Sequence, residues 1–294
     1  MKHVVIIPAH NEAAFIGRTL KSLLEQTVPP DRIIVVDDGS SDETPDIVRG
    51  IAREEPRLTL VEGPKQTTRR YRVVEVFNRG YEIVRDQEFT YISKLDADLI
   101  FPADYFQRLF AVMDADPSIA AGAGMLYDLI GGRRLRWRIP EDFVPGPLKT
   151  VSKAVFEQMG GFVPALGWDV VDLVQMRMLG YRTINLPDLA VLHLRQLGSA
   201  TGILRGQARH GLGAYTIGTH PLFALGRSVY RMFDPPYVLG GLAFAYGYTR
   251  AWLTGAEQIA DKALIQALRD EQLYRLFHRN RLPGLRASRT IVSI

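Results

Sequence analysis

The sequence predicts an α/β fold, with a mostly parallel sheet flanked by helices and a helical extension at the C-terminus. Three observations support this fold class. Short apolar runs alternate with segments of helical periodicity in the first half of the chain, two acidic groups directly follow apolar runs, and the last third is basic and rich in aromatic residues. Apolar strands separated by helices are typical of parallel sheets that are buried on both faces.

The first half of the chain contains the elements of such a sheet. Apolar runs lie at residues 4–7, 33–36, 58–61 and 90–95, and helical spacing of apolar residues lies at 15–24 and 73–84. Parallel sheets bind their ligands beyond the carboxyl ends of the strands, and their crossover connections are right-handed. The acidic groups Asp37-Asp38 and Asp96-Ala97-Asp98 both follow apolar runs, so we expect both at that edge.

Length and composition exclude several classes of protein. A chain of 294 residues that is 47% hydrophobic buries a sizeable core. The absence of cysteine excludes disulfides, thiolate metal sites and a cysteine nucleophile, which is typical of a reducing compartment. The N-terminal Met1-Lys2-His3 leads into a short strand rather than the apolar stretch of a signal peptide, so the sequence predicts a cytoplasmic protein.

The positive charge is concentrated in the last third of the chain. Residues 195–294 carry 13 Lys or Arg against 5 Asp or Glu, a net charge of +8, whereas the whole chain carries +4. A basic segment is typical of binding to nucleic acid, to an anionic membrane or to a phosphorylated substrate. Its apolar and aromatic content favours the membrane over nucleic acid.

Residues 221–252 combine apolar and aromatic side chains with Arg near both ends. The uncharged run within them is shorter than the roughly 20 apolar residues that span a bilayer. We therefore expect an interfacial or re-entrant helix pair, peripheral to the cytoplasmic face of the cell membrane. A soluble helical appendage or a dimer interface is the alternative.

The first acidic group follows a strand that ends in small side chains. Pro8 and Ala9 leave room for a flat nucleobase to approach the backbone, and Glu12 and Asp38 can accept hydrogen bonds from ribose hydroxyls or base N–H groups. The alternative is a turn with an N-capping Asp. These four residues form the predicted nucleotide-binding loop pair.

The triplet Asp96-Ala97-Asp98 has the chemistry of a cation site. Alternation along a strand would place both carboxylates on one side. Mg²⁺ and Mn²⁺ prefer oxygen ligands and neutralise the charge that builds on a departing diphosphate. A solvated acidic turn is the alternative.

The segments 4–12, 35–44 and 95–98 resemble the successive signatures of family 2 glycosyltransferases with the GT-A fold, of the bacterial or archaeal surface-polysaccharide type. The resemblance covers residues 3–195. It implies a GT-A catalytic domain at 1–200 with a helical extension at 201–294. It also implies that Asp98 is a metal ligand and that Asp96 contacts ribose or metal-bound water.

A downstream segment resembles the acceptor region of the family. Gly160-Gly161-Phe162 is similar to its glycine turn, and residues 167–173 stand in place of its acidic helix start. The family has Glu-Asp where this chain has Asp169-Val170, so either Asp169 or Asp172 is the predicted general base of an inverting transfer. The position favours Asp169, and either residue could instead cap the helix.

His193 follows the run 189–192 and resembles the late histidine that completes the metal site in many GT-A enzymes. Arg195, Arg205, Gln207 and Arg209 follow in a glycine-rich setting that suits a loop closing on the diphosphate. An ordinary basic surface is the alternative. We assign Arg205 and Arg209 to nucleotide-sugar binding.

The predicted function is therefore an inverting hexosyltransferase dependent on Mg²⁺ or Mn²⁺. It would move a sugar from a nucleoside-diphosphate sugar to a glycan or polyprenyl-linked acceptor. Two alternatives stay open: a nucleotidyltransferase, which would usually carry a glycine-rich basic first loop unlike residues 8–12, and a sugar-nucleotide-binding protein without transferase activity. The sugar, the base and the linkage are not determined by the sequence.

Overall fold

A computed structural model describes residues 2–64, 73–130, 132–195, 202–233 and 236–278 of the chain. The chain divides into two compact units, residues 1–206 and 207–294. The first unit contains a nine-stranded sheet with helices packed against it, and the described part of the second unit is helical.

The sheet has a parallel half and a mixed half. Its order is β3-β2-β1-β4-β8-β6-β9-β5, with β7 paired to β6. Strands β3, β2, β1 and β4 are parallel, as the apolar runs predict, whereas β8 runs antiparallel to β4 and to β6. The strands are β1 His3–Ala9, β2 Arg32–Asp37, β3 Leu58–Glu62, β4 Tyr91–Leu95, β5 Leu99–Ile100, β6 Ile119–Ile130, β7 Arg133–Arg136, β8 Leu148–Ser152 and β9 Arg182–His193.

Helices cover both faces of the parallel half, which is why its central strands are apolar along their whole length. Residues 4–7 of β1 and 33–36 of β2 have no solvent exposure. The helices are α1 Ile16–Leu24, α2 Thr44–Ala52, α3 Val73–Glu82, α4 Tyr105–Ala115, α5 Lys153–Gln158, α6 Trp168–Met178, α7 Ile203–Thr216, α8 Pro221–Arg231, α9 Val238–Leu253 and α10 Lys262–Phe277.

In the second unit, the part of α7 from residue 207 onward packs so closely against α9 that the two backbones are in contact. A Cβ added at Gly247 would lie 1.7 Å from the carbonyl oxygen of Ala208, and one at Gly211 would lie 2.0 Å from that of Phe244. Only glycine permits this approach. Phe244 is buried in the small core of this unit. Helices α8 and α9 contact each other and occupy the segment where the sequence predicts a helix pair, whose place at a membrane interface stays a prediction.

Within the described residues, no helix combines the length and the apolar character needed to cross a membrane. Helices α8 and α9 nevertheless expose many large apolar side chains. Those on α8 are Leu222, Leu225, Val229 and Tyr230, and those on α9 are Val238, Leu239, Leu242, Tyr246, Trp252 and Leu253.

Candidate functional site

The loops after β1 and β2 are tied together by hydrogen bonds at the carboxyl edge of the sheet. The Asp37 carboxylate accepts from the backbone N–H groups of Gly39 and Ser40, each at 3.0 Å. Across the two loops, the Asn11 N–H donates to Ser40 Oγ at 2.9 Å. Asp37 is therefore a structural residue that shapes the turn.

The predicted nucleotide-binding residues of the first loop lie at this edge. Pro8 and Ala9 are the last two residues of β1 and pair with Val36 and Asp37 of β2. The Glu12 N–H donates to Thr44 Oγ1 at 2.7 Å, which ties the loop after β1 to the start of α2. Ala9 is buried and Pro8 is partly exposed at this strand end, and their contact with a nucleobase stays a prediction.

Asp38 lies at the same edge but already has a cationic partner. Its carboxylate forms an ion pair with Arg79 of α3, and its N–H donates to the carbonyl of Ala9 at 2.8 Å. A Cβ at Gly63 would lie 2.2 Å from Nη1 of Arg79, so the glycine leaves room for the guanidinium. Arg79 thus places a positive charge beside the carboxylate predicted to contact the nucleoside.

The acidic triplet forms a turn between β4 and β5, not a continuation of a strand. The two carboxylates consequently have different surroundings. Asp96 pairs with Lys94 and its side chain is 35% exposed, whereas Asp98 is 8% exposed. The expectation that strand alternation aligns the two carboxylates is wrong, because the chain leaves the sheet at Leu95. Both charges still act on the same neighbours, Glu12 and His193.

Thr19 of α1 is hydrogen-bonded to the acidic turn. Its hydroxyl donates to the carbonyl of Ala97 at 2.7 Å and accepts from the N–H of Leu99 at 3.1 Å. Thr19 is fully buried among apolar neighbours. A buried hydroxyl needs partners, and here Ala97 of the acidic turn and Leu99 at the start of β5 supply two of them.

His193 ends β9 directly beside Asp98. Its Nε2 lies 3.5 Å from Oδ1 of Asp98, and its Nδ1 lies 2.8 Å from Oδ1 of Asp128. Trp137 donates its indole N–H to the same Asp128 oxygen at 2.8 Å, and its ring meets the imidazole edge-on. Burial alone lowers the pKa of His193, but the hydrogen bond to Asp128 and the charges of Asp98 and Asp96 raise the pKa to about 10.

Arg195 brings the two loops into one cluster. Its Nη2 lies 2.5 Å from a carboxylate oxygen of Glu12, and its Nε lies 3.8 Å from Oδ2 of Asp98. The pKa of Glu12 is raised to about 7, chiefly by burial; the Arg195 charge opposes this rise, and the charges of Asp98 and Asp96 add to it. The excess of carboxylates over cations here favours a bound cation.

The residues fit a divalent cation held jointly with a diphosphate. Oδ1 of Asp98 is buried and has no hydrogen-bond partner among the described residues. The bond from His193 Nδ1 to Asp128 leaves Nε2 facing that oxygen, as metal-ligating histidines are usually arranged. Within the described residues, no group of three or more His, Asp or Glu side chains is placed to hold a metal ion by itself. Mg²⁺ sites commonly use one or two protein ligands together with substrate phosphates.

Asp169 and Asp172 have different environments although they lie one helical turn apart on α6. Asp169 is in the first turn and half-buried, whereas Asp172 has no exposed surface and pairs with Lys149. Burial raises the pKa of Asp172 to about 6, against the charge and hydrogen bond of Lys149, which lower it. A fully buried carboxylate is poorly placed to reach an acceptor hydroxyl, which favours Asp169 over Asp172 as the base. Both assignments stay predictions. Neither residue is the helix N-cap, which is Gly167.

Lys149 links the acidic turn to α6. It is directly opposite Lys94 in the pairing of β4 with β8, and both ammonium groups lie over the ring of Trp168, at 4.9 Å for Lys149 and 5.8 Å for Lys94. Lys149 also donates to the carbonyl of Asp169 at 3.1 Å. Burial lowers the pKa of Lys149, and the charges of Asp172 and Asp169 raise it.

Space around Asp169 is restricted on one side by Gly146. A Cβ at that position would lie 3.0 Å from Cβ of Asp169 and 3.2 Å from its Oδ2. The Asp169 carboxylate is thus set by a glycine, by the Lys149 contact with its backbone and by the helix start.

Arg205 and Arg209 lie four residues apart on α7, and Arg205 is exposed. Helix α7 crosses the boundary between the two units, Arg205 belonging to the first and Arg209 to the second. Their assignment to nucleotide-sugar binding stays a prediction. The arginine that contacts Glu12 and Asp98 is Arg195, which the sequence indicates only as part of the same basic segment.

Asp128, Thr19 and Lys149 are the contributors that sequence reasoning missed. Each left a weak signal: Thr19 is a polar residue in the apolar stripe of α1, and Asp128 and Lys149 are charged residues inside apolar strands. Charged side chains are seldom fully buried unless paired. Their partners, however, are 65 and 23 residues away for Asp128 and Lys149, so the pairing is visible only in the fold.

Comparison with known proteins gives relatives in glycan synthesis. The succinoglycan biosynthesis protein ExoA of Rhizobium meliloti is 30% identical over 123 residues, covering 41% of this chain and 33% of that protein. The putative glycosyltransferase EpsH of Bacillus subtilis is 26% identical over 167 residues, covering 56% and 45%. The chain therefore spans about a third to a half of the length of these relatives.

Solved structures share the fold. The mannosyltransferase PcManGT of Pyrobaculum calidifontis, in complex with GDP-Man and Mn²⁺, superposes with a TM-score of 0.58 at 21% identity, over 95% of this chain and 81% of that one. Residues 1–349 of S. aureus TarS with UDP-GlcNAc give 0.56 at 18% identity, over 95% and 86%. GalNAc-T7 with UDP, GalNAc and Mn²⁺ gives 0.60 at 13%, over 94% and 57%.

The family assignment rests on a longer match. Residues 4–163 match the family described as Glycosyl transferase family 2, which is more than half of the chain. This range includes the first loop pair, the acidic turn at Asp98 and the strand that carries Lys149. The order of these elements and the superpositions agree with the GT-A fold. The chain belongs to glycosyl transferase family 2.

Proposed function

We propose that this protein is an inverting glycosyltransferase that uses a divalent cation and a nucleoside-diphosphate sugar. The observation that carries the proposal is the cluster of Asp98, His193, Glu12 and Arg195 at the carboxyl edge of the sheet. It places acidic ligands, an oriented imidazole and a guanidinium where ligands of such sheets bind. Oδ1 of Asp98 is buried and accepts no hydrogen bond from the described residues, which supports a role as a cation ligand.

The nucleoside would lie over the ends of β1 and β2. The backbone edge at Pro8 and Ala9 admits a flat base, and the carboxylates of Glu12 and Asp38 accept hydrogen bonds from ribose hydroxyls or base N–H groups. Asp38 is held by its ion pair with Arg79, which orients its carboxylate as an acceptor.

The diphosphate would lie beside Asp98. A Mg²⁺ or Mn²⁺ ion held by Asp98 and His193 would stabilise the negative charge on the leaving nucleoside diphosphate. Asp128 holds the imidazole in orientation through its Nδ1 bond, and Asp96 contacts ribose or metal-bound water. Arg195 supplies a guanidinium suited to bidentate contact with phosphate oxygens.

Asp169 is the general base in this proposal. The acceptor hydroxyl attacks the anomeric carbon of the donor sugar, the bond to the diphosphate oxygen breaks, and Asp169 takes the hydroxyl proton. Direct displacement inverts the anomeric configuration. Lys149 and Gly146 fix where the Asp169 carboxylate stands, since one contacts its backbone and the other leaves room for its side chain.

The acceptor would be a lipid-linked saccharide or a growing polysaccharide at a membrane surface. A relative named for succinoglycan biosynthesis and the exposed apolar side chains of α8 and α9 support this part of the proposal. The net charge of +8 over residues 195–294 favours an anionic surface as the location.

A ligand panel tests the proposal. UDP-, GDP- and dTDP-sugars are added to the full-length protein with and without Mn²⁺, and thermal unfolding and donor hydrolysis are measured. One donor should stabilise the protein only with metal, by about 2.7 kcal/mol at a hundredfold excess over its dissociation constant. Slow hydrolysis of that donor would separate a transferase from a protein that only binds sugar nucleotides.

Asp98→Asn is the matched variant, with Asp86→Asn on the exposed surface as control. The Asp98 variant should fold normally and lose the metal-dependent stabilisation, because one charged oxygen ligand is gone. Metal-dependent binding that survives in the Asp98 variant would overturn the proposed site.

A further inference from the structure

Two buried lysines lie side by side where β4 pairs with β8. Lys94 is directly opposite Lys149, and their side chains are 4% and 0% exposed. Directly opposed residues of an antiparallel pair share a face of the sheet, and like charges in such a pair are destabilising. Burial lowers the pKa of Lys149, and the charge of Lys94 lowers it further, against nearby carboxylates that raise it. The two ammonium groups therefore repel each other in a region almost closed to solvent.

Each lysine has its own carboxylate, and the two carboxylates belong to different parts of the site. Lys94 pairs with Asp96 of the acidic turn, whereas Lys149 pairs with Asp172 of α6. Lys149 also donates to the backbone carbonyl of Asp169 at 3.1 Å. The two lysines thus connect the turn predicted to contact the donor with the helix that carries the proposed base.

The indole ring of Trp168 lies against both ammonium groups. Its centroid is 5.8 Å from Nζ of Lys94 and 4.9 Å from Nζ of Lys149. Trp168 is 8% exposed and packs against Phe162 at a centroid distance of 4.8 Å. A cation within about 6 Å of an indole ring is attracted to its face, and more strongly where water is excluded. Because Trp168 directly precedes Asp169 in the chain, the ring joins both lysines to the start of α6.

Stability alone does not account for these charges. Replacing a buried ion pair by well-packed apolar residues is often neutral or stabilising. The pairing of β1 with β2 shows the apolar solution, since residues 4–7 and 33–36 have no solvent exposure. Between β4 and β8, desolvation and the repulsion of two like charges both oppose folding. The charges instead lie between two parts of the candidate site, which favours a role in the reaction.

We propose that Lys94, Trp168 and Lys149 are positioning residues that hold the donor side and the base side of the site in one geometry. Lys94 orients Asp96, Lys149 sets the helix start from which Asp169 acts, and Trp168 couples the two lysines. The inference rests on the proposed function and deepens it, because these residues act through their neighbours and not on the substrate. Such positioning matters, since a displacement of about 1 Å can cost a hundredfold in rate.

The test measures donor binding, donor hydrolysis and urea unfolding on the full-length protein. The probes are UDP-glucose, GDP-mannose and dTDP-glucose, each with Mn²⁺, and the one that binds the wild-type protein most tightly is used for every variant. Hydrolysis is measured at a saturating concentration of that probe. Affinity and turnover are thereby separated, and each is corrected for the fraction of protein that is folded.

A double substitution separates positioning from stability. Lys149→Met alone should lower the urea midpoint, because it leaves Asp172 buried without its charged partner. Lys149→Met combined with Asp172→Leu removes both charges and should return the midpoint to the wild-type value or above it. The stable double variant should nevertheless hydrolyse the bound probe about tenfold to a hundredfold more slowly, with its affinity retained. A purely structural ion pair predicts full hydrolysis in that variant.

Lys94 and Trp168 give arms that do not depend on the double variant. Lys94→Met should weaken binding of the probe about fivefold or more, because Asp96 loses its partner. Trp168→Leu should lower both affinity and turnover, since the ring contacts both lysines. Trp168→Phe keeps an aromatic face for the two cations and should retain more of both quantities than Trp168→Leu.

Lys153 is the matched control, because it makes the same kinds of contact just beyond the opposite end of β8. Its ammonium group lies 4.7 Å from the ring centroid of Phe89, 3.5 Å from the Glu157 carboxylate and 2.7 Å from the carbonyl oxygen of Gln87. Lys153→Met should lower the urea midpoint and leave the affinity and turnover of the folded protein unchanged.

Wild-type hydrolysis in the stable double variant, or wild-type affinity in the Lys94 variant, would overturn the inference. Equal losses of affinity in the Lys94 and Lys153 variants would overturn it as well. In each of these cases metal-dependent binding to the wild-type protein persists, so the proposed function stands. If none of the three probes binds the wild-type protein, the proposed function is wrong and this inference falls with it.

Discussion

Asp169 and Asp172 show how the position of a carboxylate within one helical turn decides its role. Periodicity places them on roughly the same face of α6, and both have the chemistry of a base. In the fold, Asp172 points into the core against Lys149 while Asp169 remains half-buried at the helix start. At the residue scale, burial separates the two.

Substitution should separate them as well. Asp169→Asn should lower turnover by roughly two to four orders of magnitude with donor affinity retained, the usual scale of general acid–base catalysis. Asp172→Asn should chiefly lower the free energy of unfolding, by about 3–5 kcal/mol, because it leaves Lys149 buried without its charged partner. Kinetics and urea unfolding of both variants measure this. A stable Asp172 variant without turnover, beside an active Asp169 variant, would reverse the assignment.

His3 predicts a dependence of stability on pH. It is fully buried, and burial lowers its pKa from 6.5 to about 3, against the charge of Asp31, which raises it. A histidine with a lowered pKa in the folded state is protonated only after unfolding. Its contribution to stability is therefore complete above pH 6.5 and is lost as the pH falls toward 3.

The loss should be about 2 kcal/mol between pH 6.5 and about pH 5, at 1.36 kcal/mol per unit. Urea unfolding of the wild type and of His3→Gln at those two pH values isolates this effect. His220→Gln, at the partly buried N-cap of α8, serves as control. If His3→Gln shows the same fall in stability as the wild type, His3 titrates normally in the folded protein.

At the scale of elements, helix α3 lies on the sheet through a glycine. A Cβ at Gly80 would lie 2.7 Å from Cγ2 of Ile6 and 2.9 Å from Cγ2 of Val36. In the segment Asn78-Arg79-Gly80 the arginine pairs with Asp38, while the glycine permits close packing. The local sequence thus combines a packing requirement with a charge at the site.

Two glycine substitutions test this packing. Gly80→Ala should destabilise the protein by roughly 1–3 kcal/mol, because β1 or α3 must shift to admit the methyl group. Gly50→Ala, in exposed α2 with no atom within 4 Å of the added Cβ, should stabilise it by up to about 1 kcal/mol. Urea unfolding of both variants gives the comparison. Equal effects of the two substitutions would contradict the close approach of α3 to the sheet.

At the scale of the whole molecule, each unit has its own organisation. The first unit has a continuous core around the sheet, whereas the second has a small core around Phe244 and many exposed apolar side chains. A contiguous apolar surface flanked by arginine is typical of binding to a membrane interface. The predicted domain boundary between residues 200 and 201 stays a prediction. The membrane role of residues 201–294 also stays a prediction.

Vesicle binding tests the membrane role. The full-length protein should sediment with vesicles that contain phosphatidylglycerol, and salt should weaken this only in part, because the apolar contribution is not screened. Leu225→Ser combined with Leu242→Ser, at positions 62% and 52% exposed, should abolish the salt-resistant part. Leu179→Ser, 40% exposed in the first unit, is the control. Protein that stays in the supernatant at low salt would exclude a membrane role and favour an oligomer interface.

The sequence by itself determined the parallel half of the sheet, the edge at which both acidic groups lie and the family. Apolar runs such as 4–7 and 33–36 are local signals, and parallel strands send their carboxyl ends to one edge. Only the tertiary structure decided that Asp172 is buried against Lys149, that Asp128 orients His193 and that Arg195 joins Glu12 to Asp98. These contacts join residues far apart in the chain, and burial, which sets their charges and partners, is a property of the assembled fold.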